Sequence, residues 1–546
     1  MNIPMKNRSV LLAKVALIST PFLVAGPSAQ SQSRESRSDQ WRIAGQNLNN
    51  TWSQPAEHAI SPANVQELKP KWVFTTGGDV SATPTVDGDA VYFPDWAGNL
   101  FAVQKDSGHL IWSHKISEYD GVEGAISRVS PAVDGNHVII GDILNSKQVH
   151  KGANVISVDR ETGTVQWITQ VETHPAAIIT GSPVISDGVV YIGVSSNEES
   201  LAEDPTYPCC SFRGSIVALD EKSGAMLWKT FDMPENGGQT GGYSGGAIWQ
   251  SPVIEPKRRM LFVGTGNNYT APAAVEACQN ATPAANCTAA DDLFDAALAL
   301  DLKTGQIKWS KRLQGLDTWT VACLTPTGPK ANCPVPSSPD FDLGGSGPNL
   351  VGDIVGFGQK SGIYWALNPD NGDIVWCTPV GAGGSLGGIE WGTATDGKRI
   401  YVAIADNHHL PYTLISGQQI TWGSWSALDV ATGKILWQTA DPTAGTIDTG
   451  SVSVANGVVY AGSYSGQMYA MDTRTGQILW NFASGGSVID GPSIVDGTLY
   501  WGSGYRNIPP GIGNNKVYAF ALAGGKDRGE NSGHDHDHDH SGDHDK

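Results

Sequence analysis

Apolar and polar residues alternate along this chain in short runs, each bounded by Gly, Asp or Asn. "SPVISDGVVYIG" at 182–193 is one such unit. Two apolar, β-branched stretches flank an Asp-Gly turn, which is the pattern of a β-hairpin. Eight units of this kind follow one another, at 82–93, 130–141, 182–193, 251–264, 349–358, 392–403, 452–462 and 492–502. A second pattern, roughly small-apolar-Asp-x-x-Thr-Gly-x-x-x-Trp, occurs seven times and ends at Trp112, Trp167, Trp228, Trp309, Trp376, Trp437 and Trp480. A Gly lies four residues before each Trp: Gly108, Gly163, Gly224, Gly305, Gly372, Gly433 and Gly476. The Asp-x-x-Thr-Gly part is turn chemistry, in which Asp caps the turn and Gly supplies a positive φ. The Trp then opens the next strand and can pack across to a neighbouring repeat.

Repeats of this period with strand-turn-strand content predict a propeller or a solenoid. The eighth hairpin is followed by "KVYAFAL" at 516–522 but by no Trp strand, while "KPKWVFTT" at 69–76 stands before the first hairpin without a partner. The expectation is an all-β, eight-bladed β-propeller over residues 39–524, its ring closed by the N-terminal strand in the last blade. Closure removes the free sheet edges that threaten all-β folds.

Composition agrees with this: Gly 66, Trp 18 and only 16% charged residues suit a turn-rich β protein. The first 29 residues read as a signal peptide, with Lys6 and Arg8, an apolar stretch from Val10 to Ala25 and Pro27-Ser28-Ala29 as the cleavage site. The stretch is too short to span a membrane, and no Cys near it would carry a lipid anchor. A linker at 30–38 follows, and the product is expected to be periplasmic or secreted. A net charge of −19 argues against nucleic-acid binding. The His/Asp-rich tail at 525–546 is expected to be a solvated, disordered end, with weak metal binding as the alternative.

Seven Cys in an exported chain suggest disulfides and one odd thiol. Cys278 and Cys287 bracket one loop, Cys323 and Cys333 another, and Cys377 is left over, buried or capped. Cys209 and Cys210 are adjacent. They either bond to each other through a strained eight-membered ring, remain independent thiols, or each pair with a distant cysteine. No Cys-x-x-Cys-His occurs, so no covalent c-type haem is expected, and no Rossmann fingerprint, P-loop or zinc motif stands out.

With "WRIAGQNLNNTWS" (41–53), "ISPANVQELKPKW" (60–72) and the Trp repeats, the chain resembles the quinoprotein alcohol dehydrogenases, eight-bladed propellers that carry pyrroloquinoline quinone (PQQ) and Ca²⁺. The resemblance covers nearly all of the mature chain. The repeats alone are not specific, because outer-membrane assembly scaffolds use the same repeat without a cofactor; the polar residues at one mouth of the ring discriminate. "GVSSNEE" (193–199) ends a hairpin where the family carries a Ser and, three residues on, a Glu. The resemblance therefore implies that Ser195 bonds the quinone and Glu198 binds Ca²⁺. "GTGN" (264–267) places Asn267 at the family's amide ligand, and oxygen donors of this kind are what hard Ca²⁺ takes. Trp249 stands at the spacing of the ring-stacking Trp. "LDTWT" (316–320) resembles the family's Asp-x-Trp element, which makes Asp317 the catalytic base and a third Ca²⁺ ligand. Lys360 in "GQKSGIYWAL" takes the place of the basic residue that stabilises charge on the quinone. Arg128 and Thr180, at the starts of the innermost strands of blades two and three, match contacts to the cofactor's carboxylates.

Three departures stand out. The family's adjacent Cys pair sits five residues before the Arg, where this chain has Glu123 and Gly124; here Cys209-Cys210 lies in a long loop after Glu198 and would cover the quinone by another route. An amide of the family becomes Glu390 in "GGIEWG", adding a carboxylate at the cofactor pocket. Asp448 stands near the place of a mouth-facing Trp. The stretches 241–272 and 387–407 and the displaced Cys pair look most like polyvinyl alcohol dehydrogenases, which implies oxidation of secondary hydroxyls on a polymer with a separate c-type cytochrome as electron acceptor. A quinoprotein for small alcohols and a cofactor-free scaffold are the alternatives.

Overall fold

The computed structural model describes residues 39–144, 151–281, 287–324, 330–335, 337–343 and 345–523. The expected signal peptide, linker and His/Asp tail lie outside the described residues. Seven four-stranded antiparallel sheets and one five-stranded sheet, which adds Ala177–Ile178 to blade 3, succeed one another, and all but the last are built from strands in chain order. Blade 1 is Thr85–Asp87, Ala90–Pro94, Asn99–Gln104 and Leu110–Lys115. Blade 2 starts at Ala132, blade 3 at Val184, blade 4 at Val253, blade 5 at Asn349, blade 6 at Ala394 and blade 7 at Val452. All eight expected hairpins are the two inner strands of a blade.

Blade 8 confirms the expected closure. Its inner strands are Ser493–Val495, Thr498–Ser503 and Lys516–Leu522, and its outermost strand is the N-terminal Leu68–Thr75. Leu68 pairs with Leu522 and Thr75 with Lys516 in antiparallel register.

The two periodicities in the sequence follow from this packing. Inner strands are covered on both faces by neighbouring blades, so Ala90–Pro94 and Ile354–Gly358 are buried at every position. Outermost strands have one free face, and four of the six residues of Leu110–Lys115 are exposed while Trp112 is buried. Cys377, expected to be buried or capped, is exposed on the outermost strand of blade 5, where alternate side chains face solvent.

Each signature Trp locks its blade to the next. Trp167 Nε1 donates to Glu221 O at 2.8 Å, and Thr169 Oγ1 donates to Gly224 O at 2.6 Å. The equivalent Nε1 bonds run from Trp72, Trp112, Trp228, Trp309, Trp376, Trp437 and Trp480 to carbonyls of the following blade. Gly224 has φ +70°, and a Cβ there would lie 2.5 Å from the Trp167 ring. Position and conformation both demand Gly. Gly224→Ala is expected to destabilise the fold by about 2 kcal/mol from the left-handed backbone alone, read as a lower denaturant midpoint; an unchanged midpoint would sink the explanation.

Disulfides join Cys278 to Cys287 and Cys323 to Cys333, as expected, and Cys209 is bonded to Cys210. No helix among the described residues is long and apolar enough to cross a membrane.

Candidate active site

Alternating strand directions put three kinds of loop on one face of the ring: those entering an innermost strand, leaving a second strand and leaving an outermost strand. Asn267 follows the second strand of blade 4, Asp317 follows its outermost strand, Lys360 follows the second strand of blade 5, and Glu390 precedes the innermost strand of blade 6. The fold therefore brings these side chains to one mouth from four different connections.

Lys360 is the hub. Its Nζ bonds both oxygens of Asp340 at 3.0–3.1 Å and lies 2.8 Å from Asp342 Oδ2. It also stands 5.4 Å from the centroid of the Trp249 ring. Burial works against the charged form of Lys360, but the Asp340 and Asp342 carboxylates hold its pKa well above the ordinary value. The far edge of Trp249 rests on Gly345, where a Cβ would come within 2.6 Å of the ring.

Asp317 is buried and accepts hydrogen bonds from the backbone amides of Phe341 (2.6 Å) and Asp340 (3.3 Å). Burial pushes its pKa up to about 6 against the pull of the Phe341 amide, with the Asp342 charge adding to the rise. Asp342 Oδ1 accepts from the Asn267 backbone amide at 2.6 Å. One short segment, Asp340-Phe341-Asp342, thus braces Asp317, Asn267 and Lys360 together. The Asn267 side-chain nitrogen is used by the carbonyls of Asn268 and Trp319, which leaves Oδ1 as its free end.

The two glutamates of "NEE" part company. Glu198 turns to its own loop: its carboxylate accepts from the amides of Ser211 (2.9 and 3.0 Å) and Phe212 (2.8 Å) and from Tyr207 OH (3.3 Å). These bonds hold the chain directly after Cys209-Cys210, and they use the carboxylate expected to bind Ca²⁺. Glu199 lies instead in the field of Lys360, Asp342, Asp317 and Glu390, and burial raises its pKa to about 8. Its Oε1 is shut away from solvent without a hydrogen-bond partner. Removing the Glu198 anchor frees the Cys loop, so Glu198→Ala is expected to speed reduction of the Cys209–Cys210 bond at least about tenfold, since hydrogen bonds to a charged group are worth roughly 1.5–3 kcal/mol each. Thiol titration under limiting reductant checks this, and equal rates would refute the anchoring role.

Arg128 and Thr180 line a cavity with Trp391, Ser182, Gln250 and Asp490. Its volume of about 60 Å³ admits waters or the edge of a ligand, not a fused ring system. The Arg128 guanidinium lies 5.6–5.8 Å from the ring centroids of Trp96, Trp391 and Tyr505. It also acts on Glu390, whose pKa burial raises to about 8 while the Lys360 cation pulls it down. Ser195 is buried near the end of its strand, paired in register with Ile178.

A buried polar atom without a partner costs about 1–3 kcal/mol, so a concentration of them marks the place of a ligand. Thr180 Oγ1, Glu199 Oε1, both oxygens of Glu390 and the Tyr505 hydroxyl are such atoms. Asp295 is fully buried and interacts with Asp317 and Asp342. The donor set of carboxylates and one amide oxygen suits a hard cation; the flat Trp249, two cations and neutral donors suit a planar, multiply anionic cofactor. The residues present fit the planar cofactor; the donor types suit the cation, but no group of three or more His, Cys, Asp or Glu side chains among the described residues is arranged to hold one. Glu199, Asp295, Asp340 and Asp342 were not singled out from the sequence. Only the Glu198-Glu199 doublet carried a signal there, as two carboxylates at one hairpin end.

A family model described as outer membrane protein assembly factor BamB matches residues 64–206, 212–403 and 421–528. The chain is 33% identical to a polyvinylalcohol dehydrogenase of Sphingopyxis sp. (strain 113P3), over 82% of this chain and 70% of that protein. It is 30% identical to a polyvinylalcohol dehydrogenase of Pseudomonas sp., over 86% of this chain and 73% of that protein. Among solved structures, quinohemoprotein alcohol dehydrogenase from Comamonas testosteroni superposes with a TM-score of 0.66 at 20% identity, covering 92% of this chain and 83% of that one. At that identity the likeness is one of fold.

Proposed function

This chain belongs to the PQQ-dependent quinoprotein alcohol dehydrogenase family and is itself a PQQ-dependent alcohol dehydrogenase; from that premise we propose that it oxidises secondary hydroxyl groups of polyvinyl alcohol and passes the electrons to a separate c-type cytochrome. The observation that carries the reading is the constellation of Asp317, Lys360 and Trp249, ringed by buried polar atoms without partners. Two polyvinylalcohol dehydrogenases at 30% identity or more support the substrate class.

When bound, PQQ supplies a quinone able to accept the hydride of the alcohol carbon. The chain's residues supply position and charge. Trp249 offers a flat plate for the ring system, Arg128 and Thr180 meet its carboxylates, and Ser195, the Cys209–Cys210 bond and Glu390 complete the surround. Lys360 stabilises negative charge that develops on reduction. Asp317 takes the hydroxyl proton, its carboxylate held in place by the Phe341 and Asp340 amides. Asn267 Oδ1, Asp317 and Glu199 would hold Ca²⁺, with Glu199 in the role expected of Glu198. Glu199→Gln is then expected to weaken Ca²⁺ binding at least about tenfold, and Glu198→Gln to leave it unchanged, as calorimetry on the cation-free protein would measure. The reverse order would restore Glu198 as the ligand. Two disulfides in surface loops support a periplasmic or secreted location.

The deciding experiment is reconstitution of the purified protein with PQQ and Ca²⁺, followed by dye-linked oxidation of polyvinyl alcohol and of short secondary alcohols. Activity that needs both additions and favours the polymer supports the proposal. Preference for the short alcohols would make it a small-alcohol quinoprotein. A cofactor-free scaffold, the reading closest to the family model's description, predicts no PQQ binding at all.

A further inference from the structure

An open cleft of about 510 Å³ lies on the cofactor face at blade 3, outside the cluster around Asp317. Its size falls within the ordinary range for ligand sites. Pro175, Pro208 and the Phe231 ring give it apolar plates, and His174, Arg213 and Asn236 give it hydrogen-bonding groups.

The cleft and the reaction centre share one wall. Neighbouring residues on a helical turn leave it in different directions, and the turn Glu198–Leu201 uses this. Glu198 faces the cleft side, bonding Tyr207 and Ser211 of its lining, with His174 Nε2 at 3.7 Å. Glu199 faces Lys360 and Asp317. A helix with its side chains is about 10–12 Å across, so only a short length of extended chain separates the two spaces.

The charges of the cleft are cancelled among themselves. Glu172 pairs with Lys229, and Arg213 Nη2 lies 2.6 Å from Glu235. The Arg213 guanidinium is also fixed 4.0 Å from the Phe231 ring centroid. A surface of this kind attracts neither an anion nor a cation; it suits a neutral ligand that is apolar along its backbone and carries hydroxyls. A chain of CH₂–CHOH units has that chemistry. A short alcohol held at Asp317 has no atoms left to reach the cleft.

Resting on the polymer reading above, we propose that this cleft is a subsite for the stretch of polyvinyl alcohol flanking the hydroxyl being oxidised. Two variants test it from opposite directions. Phe231→Ala removes an exposed plate, and Thr173→Trp, at an exposed lining position, fills the space. Neither touches the residues around Asp317. Each is expected to raise KM for polyvinyl alcohol, and the dissociation constant of polyvinyl alcohol for the PQQ-loaded protein by calorimetry, by about tenfold. KM for a short secondary alcohol and the affinity for PQQ should stay as in the wild type. Polymer binding and KM unchanged in both variants, while the wild type oxidises the polymer, would overturn the cleft alone. A wild type that oxidises short alcohols with PQQ but neither binds nor oxidises the polymer would overturn the polymer reading and this proposal with it. Variants slowed only in cytochrome-linked turnover would make the cleft a protein-docking surface and the proposal wrong.

Discussion

Asp317→Asn is expected to lower turnover by about a thousandfold while PQQ still binds. The substitution keeps the size of the side chain and one oxygen, which can still accept the short bond from the Phe341 amide, and gives up only the longer bond from the Asp340 amide to the other oxygen, so the brace around Asn267 and Lys360 should survive. What it removes is the group that takes the hydroxyl proton, and a positioned general base is typically worth about 10²–10⁴ in rate. Loss of cofactor would point elsewhere, so the quinone absorbance of the reconstituted variant has to be measured beside its rate. A variant that binds PQQ and oxidises alcohols at the wild-type rate would remove Asp317 from the mechanism.

The second large effect is on stability. Burial raises the pKa of Asp317 to about 6 and those of Glu199 and Glu390 to about 8. All three lie above the unfolded values, so the folded, cation-free protein holds protons that the unfolded chain releases. The contribution is complete below about pH 4 and is lost as pH rises through 6 to 8. Asp317 alone, shifted by about two pH units, accounts for about 3 kcal/mol. Denaturant midpoints in chelator should therefore fall from pH 5 to pH 8. Ca²⁺ at a hundred times its dissociation constant should return about 2.7 kcal/mol at pH 8, because a cation replaces the protons that the carboxylates give up. Midpoints that stay level or rise over this range in chelator would contradict this picture of the acid cluster.

The blades were legible because one packing problem is solved eight times. Every inner hairpin is covered on both faces and every signature Trp needs a turn without a side chain beneath it, so the same residues return at each repeat. The ring closure could be read from a strand without a partner at each end. The expected mouth residues Trp249, Asn267, Asp317 and Lys360 all lie in connections within a few residues of a strand, where a repeat pattern fixes position. Glu198 and Glu199 lie in such a connection too, but which one faces the mouth depends on a loop that returns the amides of Ser211 and Phe212 to Glu198. No local pattern states that return. Asp340 and Asp342 escaped for a related reason: the loop holding Cys323 and Cys333 separates them in sequence from the Asp317 they brace. Cys377 went astray because an unpaired thiol was expected to be hidden, whereas strand alternation alone puts it outside.

The shared eighth blade also sets an order of events in time. Among the described residues, Leu68–Thr75 is the first named strand to be synthesised and its partner Lys516–Leu522 the last. Until that partner emerges, the first strand has nothing to pair with and the growing arc carries a bare edge at each end, the condition in which sheets join to other chains. Pairing across such a distance in sequence is slow to form, so ring closure should come late in folding. A chain cut short by even its last strand would lose far more than one strand: it would be left open at the seam.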